Sequence, residues 1–350
     1  MKEKMNEQVN EQTKKKDLDL LNKMKNLPGG LVIIPLVIAV LLATFVPQVF
    51  QIGGYVTALF YEGNACMMGF FLIVCGASIN IRQVGMPLYK GVVMTSVKFV
   101  LGVIFGLAVG KICGPAGFLG ITPFVMIAAI TNSNSSLYIS LSSQFGNATD
   151  TGAVSILALN DGPFFTLVAL GATGLASIPF MSLVATIVPI LIGFIWGNLD
   201  EGFKKACATA QPIVTFFMTI SIGAKTDITT ILKAGASGIV LGLISAATAV
   251  IFFYVINIFL PKKEKNAMGA AIGTTALNSA MTPAAVAEAD PTMAPYVDMA
   301  TAQCATASII TLFLIPFITA FFDKMMQKKQ KGIYSPEGWA HYKVTGEAAE

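Results

Sequence analysis

The sequence is poor in charge. Only 12% of its 350 residues are Asp, Glu, Lys or Arg, too few to cover a water-soluble globule of this size. A 55% hydrophobic content and a mean hydropathy of +0.71 place the chain in a lipid bilayer. Histidine is nearly absent: the one copy, His341, falls in a polar C-terminal stretch, which excludes a histidine-based metal or acid–base centre in the apolar body. No HExxH or GxSxG string occurs, so the sequence does not read as an enzyme, and no cofactor or metal is expected. The five cysteines, Cys66, Cys75, Cys113, Cys207 and Cys304, lack CxxC spacing and read as small apolar residues, not as a disulfide frame. The net charge of +4 comes from lysines without interleaved aromatics, so nucleic acid is not an expected partner.

What is present is a repeat. Gly76-Ala77-Ser78-Ile79-Asn80-Ile81 returns as Gly223-Ala224-Lys225-Thr226-Asp227-Ile228, and at the same offset Gly91-Val92-Val93-Met94 returns as Gly238-Ile239-Val240-Leu241. Apolar stretches long enough to cross the hydrocarbon core occur at residues 31–46, 55–77, 89–110, 118–141 and 153–174. A second set follows at 180–199, 206–224, 231–260, 268–287 and 295–322. The expected fold is therefore an all-α integral membrane protein of about ten transmembrane helices. Five spans per copy is an odd number, so the two five-helix repeats, residues 27–178 and 179–323, are expected to be inverted, an arrangement typical of secondary transporters. Residues 1–26 form an expected Lys-rich tail and 324–350 a second tail. With the N-terminus inside, 19 of the 23 basic residues collect on one face, so both termini are expected in the cytoplasm and the protein in the cell (inner or plasma) membrane. No secretory cleavage pattern follows the Lys-rich start, so the first span is expected to be retained.

Two spans are interrupted. The fourth carries Thr131-Asn132-Ser133-Asn134-Ser135-Ser136, and the ninth carries Thr274-Thr275-Ala276-Leu277-Asn278-Ser279-Ala280-Met281-Thr282-Pro283. Asn and Ser bond readily to nearby backbone, and Pro283 has no N–H to donate, so both spans are expected to be broken helices. Matched breaks in two repeats point to a transport site near the bilayer midplane. Asn132, Ser133, Asn134, Ser135, Asn278, Ser279 and Thr282 are the candidate substrate-binding residues. The alternative is that these small polar residues only let helices pack closely.

Ionisable residues within spans cost roughly 2.5–3.5 kcal/mol each at a helix centre, so each is a functional candidate. Lys98 in the third span would neutralise a substrate carboxylate or pair with an internal acid. Asp161 in the fifth span, next to Gly162-Pro163, would serve as a coupling carboxylate, or form a purely structural pair with Lys98. Glu62 in the second span and Glu288 at the end of the ninth are further coupling candidates, the latter also readable, with Asp290, as an interfacial cap.

Taken together, Leu27-Pro28-Gly29-Gly30 with Ile34-Pro35-Leu36, Gly76-Ala77-Ser78-Ile79, Leu137-Tyr138, Gly162-Pro163, Gly197-Asn198-Leu199-Asp200, and Thr282-Pro283 with Ala287-Glu288 resemble the 2-keto-3-deoxygluconate permease family from residue 27 to 322. The resemblance implies cation-coupled uptake, by proton symport, of a sugar acid. It also implies the fold of the bile-acid/sodium symporters, with spans three to five and eight to ten as a core and spans one, two, six and seven as a panel. By the same resemblance, Lys98 and Asn134 stand where a lysine and an asparagine are expected, and Asp161 where a glutamate is. The chain departs from the family pattern at Ser135-Ser136, where glycines are favoured, and at Thr131. The expected partners are a small organic anion, a coupling proton or sodium ion, and the bilayer. Other readings are a sodium-coupled carrier of another anion and, from a different class, a membrane channel or sensor; the oligomeric state is left open.

Overall fold

The computed structural model describes residues 19–26, 30–80, 85–225 and 228–338. Arg82, Thr226, Asp227, His341 and the Leu27-Pro28-Gly29 string lie outside the described residues. Short α1 (Leu20–Asn26) and α2 (Gly30–Phe45) precede a pair bent by 56°, α3 (Gly54–Phe60) and α4 (Asn64–Ser78). Helix α5 (Met86–Cys113) is continuous, whereas the fourth apolar stretch divides into α6 (Pro123–Thr131) and α7 (Ser135–Phe145). A second pair, α8 (Ala148–Leu157) and α9 (Phe164–Thr173), bends by 57° across a 3-10 turn at Ala158–Asp161. Three long helices follow: α10 (Phe180–Leu199), α11 (Glu201–Gly223) and α12 (Ile228–Phe259). The ninth stretch is reduced to α13 (Met268–Ala271), a 3-10 turn at Leu277–Ala280 and α14 (Thr282–Ala289), before α15 (Val297–Lys328).

Among the described residues the chain is all-helical, with five helices long and apolar enough to cross a membrane, or seven if each bent pair is one span. The other three expected spans are the 16-residue α2, which covers about 24 Å of a roughly 30 Å core, and the two interrupted stretches.

Buried side chains fall into two main groups. The larger draws on α5 to α9 and α12 to α15, through Met94, Ile127, Tyr138, Leu157, Leu170, Phe252, Met268, Val286 and Ile315. The smaller draws on α2, α4, α10 and α11, through Leu36, Val40, Met68, Phe71, Leu72, Ile190, Met218 and Ile222; Met281 and Leu159 lean onto it from the larger bundle.

The repeated glycines sit at close helix contacts. A Cβ on Gly76 would lie 2.1 Å from the Ile190 carbonyl oxygen of α10, and one on Gly223 would lie 2.8 Å from the Leu36 carbonyl oxygen of α2. The second matched pair behaves likewise: a Cβ on Gly91 would meet Ile156 of α8 at 2.7 Å, and one on Gly238 would meet Thr306 of α15 at 2.6 Å. In lipid, where apolar burial gives little drive for helix pairing, such close backbone approach is a main source of attraction.

Lys90, near the start of α5, is fully buried. Its Nζ lies 2.9 Å from Asp150 Oδ1 and 3.0 Å from Glu264 Oε2. Asn147 caps α8 in a reciprocal box with Asp150, and its amide nitrogen donates to Glu264 at 3.1 Å; Asn266 donates to Asp150. Three chain segments are thereby joined at one end of the larger bundle. Burial pushes the Glu264 carboxyl up, but the Lys90 ammonium and hydrogen bonds from Asn147 and Thr149 outweigh it and hold the group below the ordinary glutamate range. A depressed carboxylate pKa contributes stability that is present above the unfolded value, about 4.3, and is lost as pH falls through the folded value. Thermal unfolding of the detergent-purified protein is therefore expected to shift down below about pH 4. Lys90→Met, which strands two buried carboxylates, should cost about 3–5 kcal/mol at neutral pH; an unchanged unfolding midpoint would show that these ion pairs carry no stability.

Candidate functional site

The first break spans residues 132–134, between α6 and α7. Helix α6 stops because Asn132 and Asn134 take extended backbone, with ψ of 138° and 94°. The groups freed by the break find local partners. Asn132 Nδ2 donates to the Ala128 carbonyl at 2.7 Å and to Thr166 Oγ1 at 3.2 Å, and the hydroxyls of Thr131 and Thr166 share a hydrogen bond of 2.8 Å. Ser133 N–H donates to the Asn160 carbonyl at 3.4 Å, while Asn134 Oδ1 caps α7 by accepting from Leu137 N–H at 2.9 Å.

The second break runs through residues 272–281. Lys98, buried in α5, donates from Nζ to the carbonyls of Ile272 and of Thr274, the latter at 2.6 Å, and its ammonium stands 5.5 Å from the Phe252 ring centroid. Thr275 N–H donates to Thr311 Oγ1 at 3.1 Å, and the Ala276 carbonyl accepts from the hydroxyls of Ser279 at 2.6 Å and Ser308 at 2.7 Å. Pro283 lies in the first turn of α14, where a missing N–H costs no helical hydrogen bond.

The breaks touch. Asn134 N–H donates to Thr274 Oγ1 at 3.2 Å, so the N-terminus of α7 meets the unwound segment after α13. The meeting point carries charge of both signs: the N-terminal end of α7 presents the positive end of its dipole, and the exposed carbonyls at residues 272 and 274 present negative partial charge, which the Lys98 ammonium occupies. An anion and a cation are thus favoured at adjacent places.

The candidates divide accordingly. Lys98, Asn132, Ser133, Asn134 and Ser135 come together at the first break and its crossing, with Ser279 and Thr282 buried along the second and Asn278 half-buried in its 3-10 turn. Asp161 closes the turn before α9, beside the first break, with its side chain outside the described part. Glu62 is exposed in the turn between α3 and α4. Glu288 lies in the last turn of α14, is exposed, and stands near Asn64 of α4 and Lys225, between the two bundles. Asp290 caps the following turn through Thr292 N–H at 3.0 Å and accepts from Ser177 N–H at 2.6 Å. Thr166, Thr274, Thr311 and Asn160 are site residues that the sequence reading did not select. Thr166 and Thr311 are isolated in apolar runs, Thr274 opens the interrupted string of the ninth span without having been singled out, and only the adjacent Asp161 marks Asn160.

A model of the 2-keto-3-deoxygluconate permease family matches residues 21–328. A protein of Salmonella typhimurium named 2-keto-3-deoxygluconate permease 1 is 38% identical over 312 residues, 89% of this chain and 98% of its own length. A 2-keto-3-deoxygluconate permease of Bacillus subtilis is 30% identical over 319 residues, 90% of this chain and 96% of its own. One from Xanthomonas oryzae pv. oryzae is 32% identical over 304 residues, 85% and 95% respectively. Agreement of this extent, on a chain with several apolar membrane-length helices, identifies a multi-pass membrane transporter, not an enzyme: the chain belongs to the 2-keto-3-deoxygluconate permease family.

Proposed function

We propose that the protein is a proton-coupled symporter that imports 2-keto-3-deoxygluconate or a similar sugar acid by alternating access. The observation that carries this reading is the hydrogen bond between Asn134 and Thr274, which brings two interrupted helices together beside a buried lysine. The N-terminal end of α7 suits the substrate carboxylate. The Lys98 ammonium already fills the carbonyl oxygens where a coupling metal cation would bind, which favours a proton over sodium. Curated relatives named for 2-keto-3-deoxygluconate supply the substrate class.

The architecture that serves this function is ten spans in two inverted repeats. Support comes from the matched glycines: Gly76 joins the second span to the sixth and Gly223 the seventh to the first, while Gly91 joins the third to the fifth and Gly238 the eighth to the tenth. The larger bundle corresponds to the core and the smaller to the panel, and transport is a movement of one against the other around the crossing. The positive-inside bias supports a cytoplasmic position for both termini, in keeping with a protein of the inner or plasma membrane.

Uptake of labelled 2-keto-3-deoxygluconate into proteoliposomes, with imposed pH, voltage and sodium gradients, tests the whole reading. A carrier shows counterflow of labelled substrate; a channel or sensor does not. Accumulation that requires sodium and ignores the pH gradient would overturn proton coupling in favour of a sodium-coupled carrier. One proton with one monoanion moves no net charge, whereas a second proton would add about 2.3 kcal/mol of driving force per 100 mV.

Five variants at four residues probe the parts. Asn134→Leu and Asn278→Leu are expected to abolish uptake with membrane insertion intact, and wild-type rates in both would remove the breaks from the site. Lys98→Met should lower uptake by tenfold or more, because about 1.4 kcal/mol of lost charge compensation already produces that factor. Lys98→Arg should keep partial function with altered geometry. Asp161→Asn should end uphill, proton-driven accumulation while sparing downhill exchange; continued concentration against a gradient would make Asp161 structural.

A further inference from the structure

The 3-10 turn Ala158–Asp161 holds a buried amide that the break does not use. Asn160 is fully buried, and neither its Nδ2 nor its Oδ1 has a hydrogen-bond partner among the described residues. Buried side-chain polar atoms are nearly always satisfied, and an amide missing both its donor and its acceptor bonds is held at a cost unless something outside the chain completes it.

The place of this residue says what completes it. Its backbone carbonyl accepts from Ser133 N–H, so Asn160 is one hydrogen bond from the first break. On the other side its turn packs against α4 of the smaller bundle: Leu159 joins the cluster of Met68, Phe71 and Leu72, and a Cβ on Gly162 would come within 2.8 Å of Leu72 Cδ2. Asn160 therefore lies in the seam between the two bundles, beside the crossing. Ser133 Oγ in the first break and Thr282 Oγ1 at the start of α14, next to the second, are likewise buried without a partner among the described residues.

We propose that Asn160 is the specificity residue that reads the hydroxyl-bearing end of the substrate. This rests on the reading of the crossing as a sugar-acid site. A metal cation would use only Oδ1 and a carboxylate only Nδ2, each leaving half of the amide unmatched. Hydroxyl groups on neighbouring carbons supply a donor and an acceptor together, and so satisfy both ends. The carboxylate end of the same molecule falls to the N-terminal end of α7, and the unpartnered hydroxyls of Ser133 and Thr282 offer further contacts to a polyhydroxylated chain.

The test uses the full-length protein in proteoliposomes and two ligands with the same six-carbon 2-keto acid frame: 2-keto-3-deoxygluconate, and 2-oxohexanoate, which lacks its hydroxyls. Uptake of the labelled sugar acid gives KM, and competition by 2-oxohexanoate gives an inhibition constant. Asn160→Leu, close in size but without hydrogen bonding, is expected to raise KM for the sugar acid at least tenfold while moving the 2-oxohexanoate constant by no more than about twofold. Equal weakening of both ligands would overturn the proposal by showing that Asn160 only shapes the turn, and so would a KM within twofold of wild type. Should the Leu variant be missing from the membrane, Asn160→Ser, which keeps one hydroxyl in a smaller side chain, is read by the same two constants and is expected to give the same selective shift. A wild-type protein that fails to take up the sugar acid refutes the transport reading itself, so the two failures are distinguishable.

Discussion

Within a bilayer, a peptide group released from its helix has no water to turn to, and the structure is organised around meeting that demand at two places. The breaks at residues 132–134 and 272–281 exist because side chains of intact helices supply the missing bonds. Thr166 of α9 steadies the first, while Thr311 and Ser308 of α15 and Lys98 of α5 steady the second. The threonine and serine hydroxyls thus hold the break of their own half of the chain, whereas Lys98 reaches from the first half into the second, and the two halves also meet through Asn134 and Thr274. Everything else in the larger bundle serves to keep these few donors and acceptors in register.

The use of Lys98 is economical in charge. An ammonium buried this far is costly unless its protons are satisfied, and carbonyls at a helix break are costly unless they find donors. Bringing the two together resolves both demands with one residue and leaves the opposite pole, the N-terminal end of α7, available to an incoming anion. The Lys90 cluster obeys a different logic. Two acids and one lysine fix loops at the end of the bundle, away from the crossing and next to the apolar stretches they connect.

How much of this was legible in the sequence depended on whether a feature left a local pattern. Six polar residues in a row, and an Asn-Ser pair ahead of Pro283, announced the breaks because such strings have no place on a lipid-facing helix. Their partners were silent: a lone threonine inside an apolar run is ordinary, and a lysine whose acceptors are backbone carbonyls leaves no complementary residue to search for. Nothing local marked Lys90 as buried, because its partners Asp150 and Glu264 lie far along the chain. Asn160 was eclipsed by the charge next to it. The count of expected spans exceeds the helices long enough to cross a membrane because α2 is short and each interrupted stretch is apolar in composition but divided in length.

The glycine contacts bear on how the protein is made. Helix α4 fits closely against α10, and α2 against α11, so each of these seams joins an early element to one synthesised more than a hundred residues later. By contrast, α5 finds α8, and α12 finds α15, within the same half. During biosynthesis the larger bundle's two halves can therefore begin to consolidate as they emerge. The smaller bundle keeps open glycine faces until α10 and α11 arrive, and the larger bundle is completed only when α12 to α15 follow them.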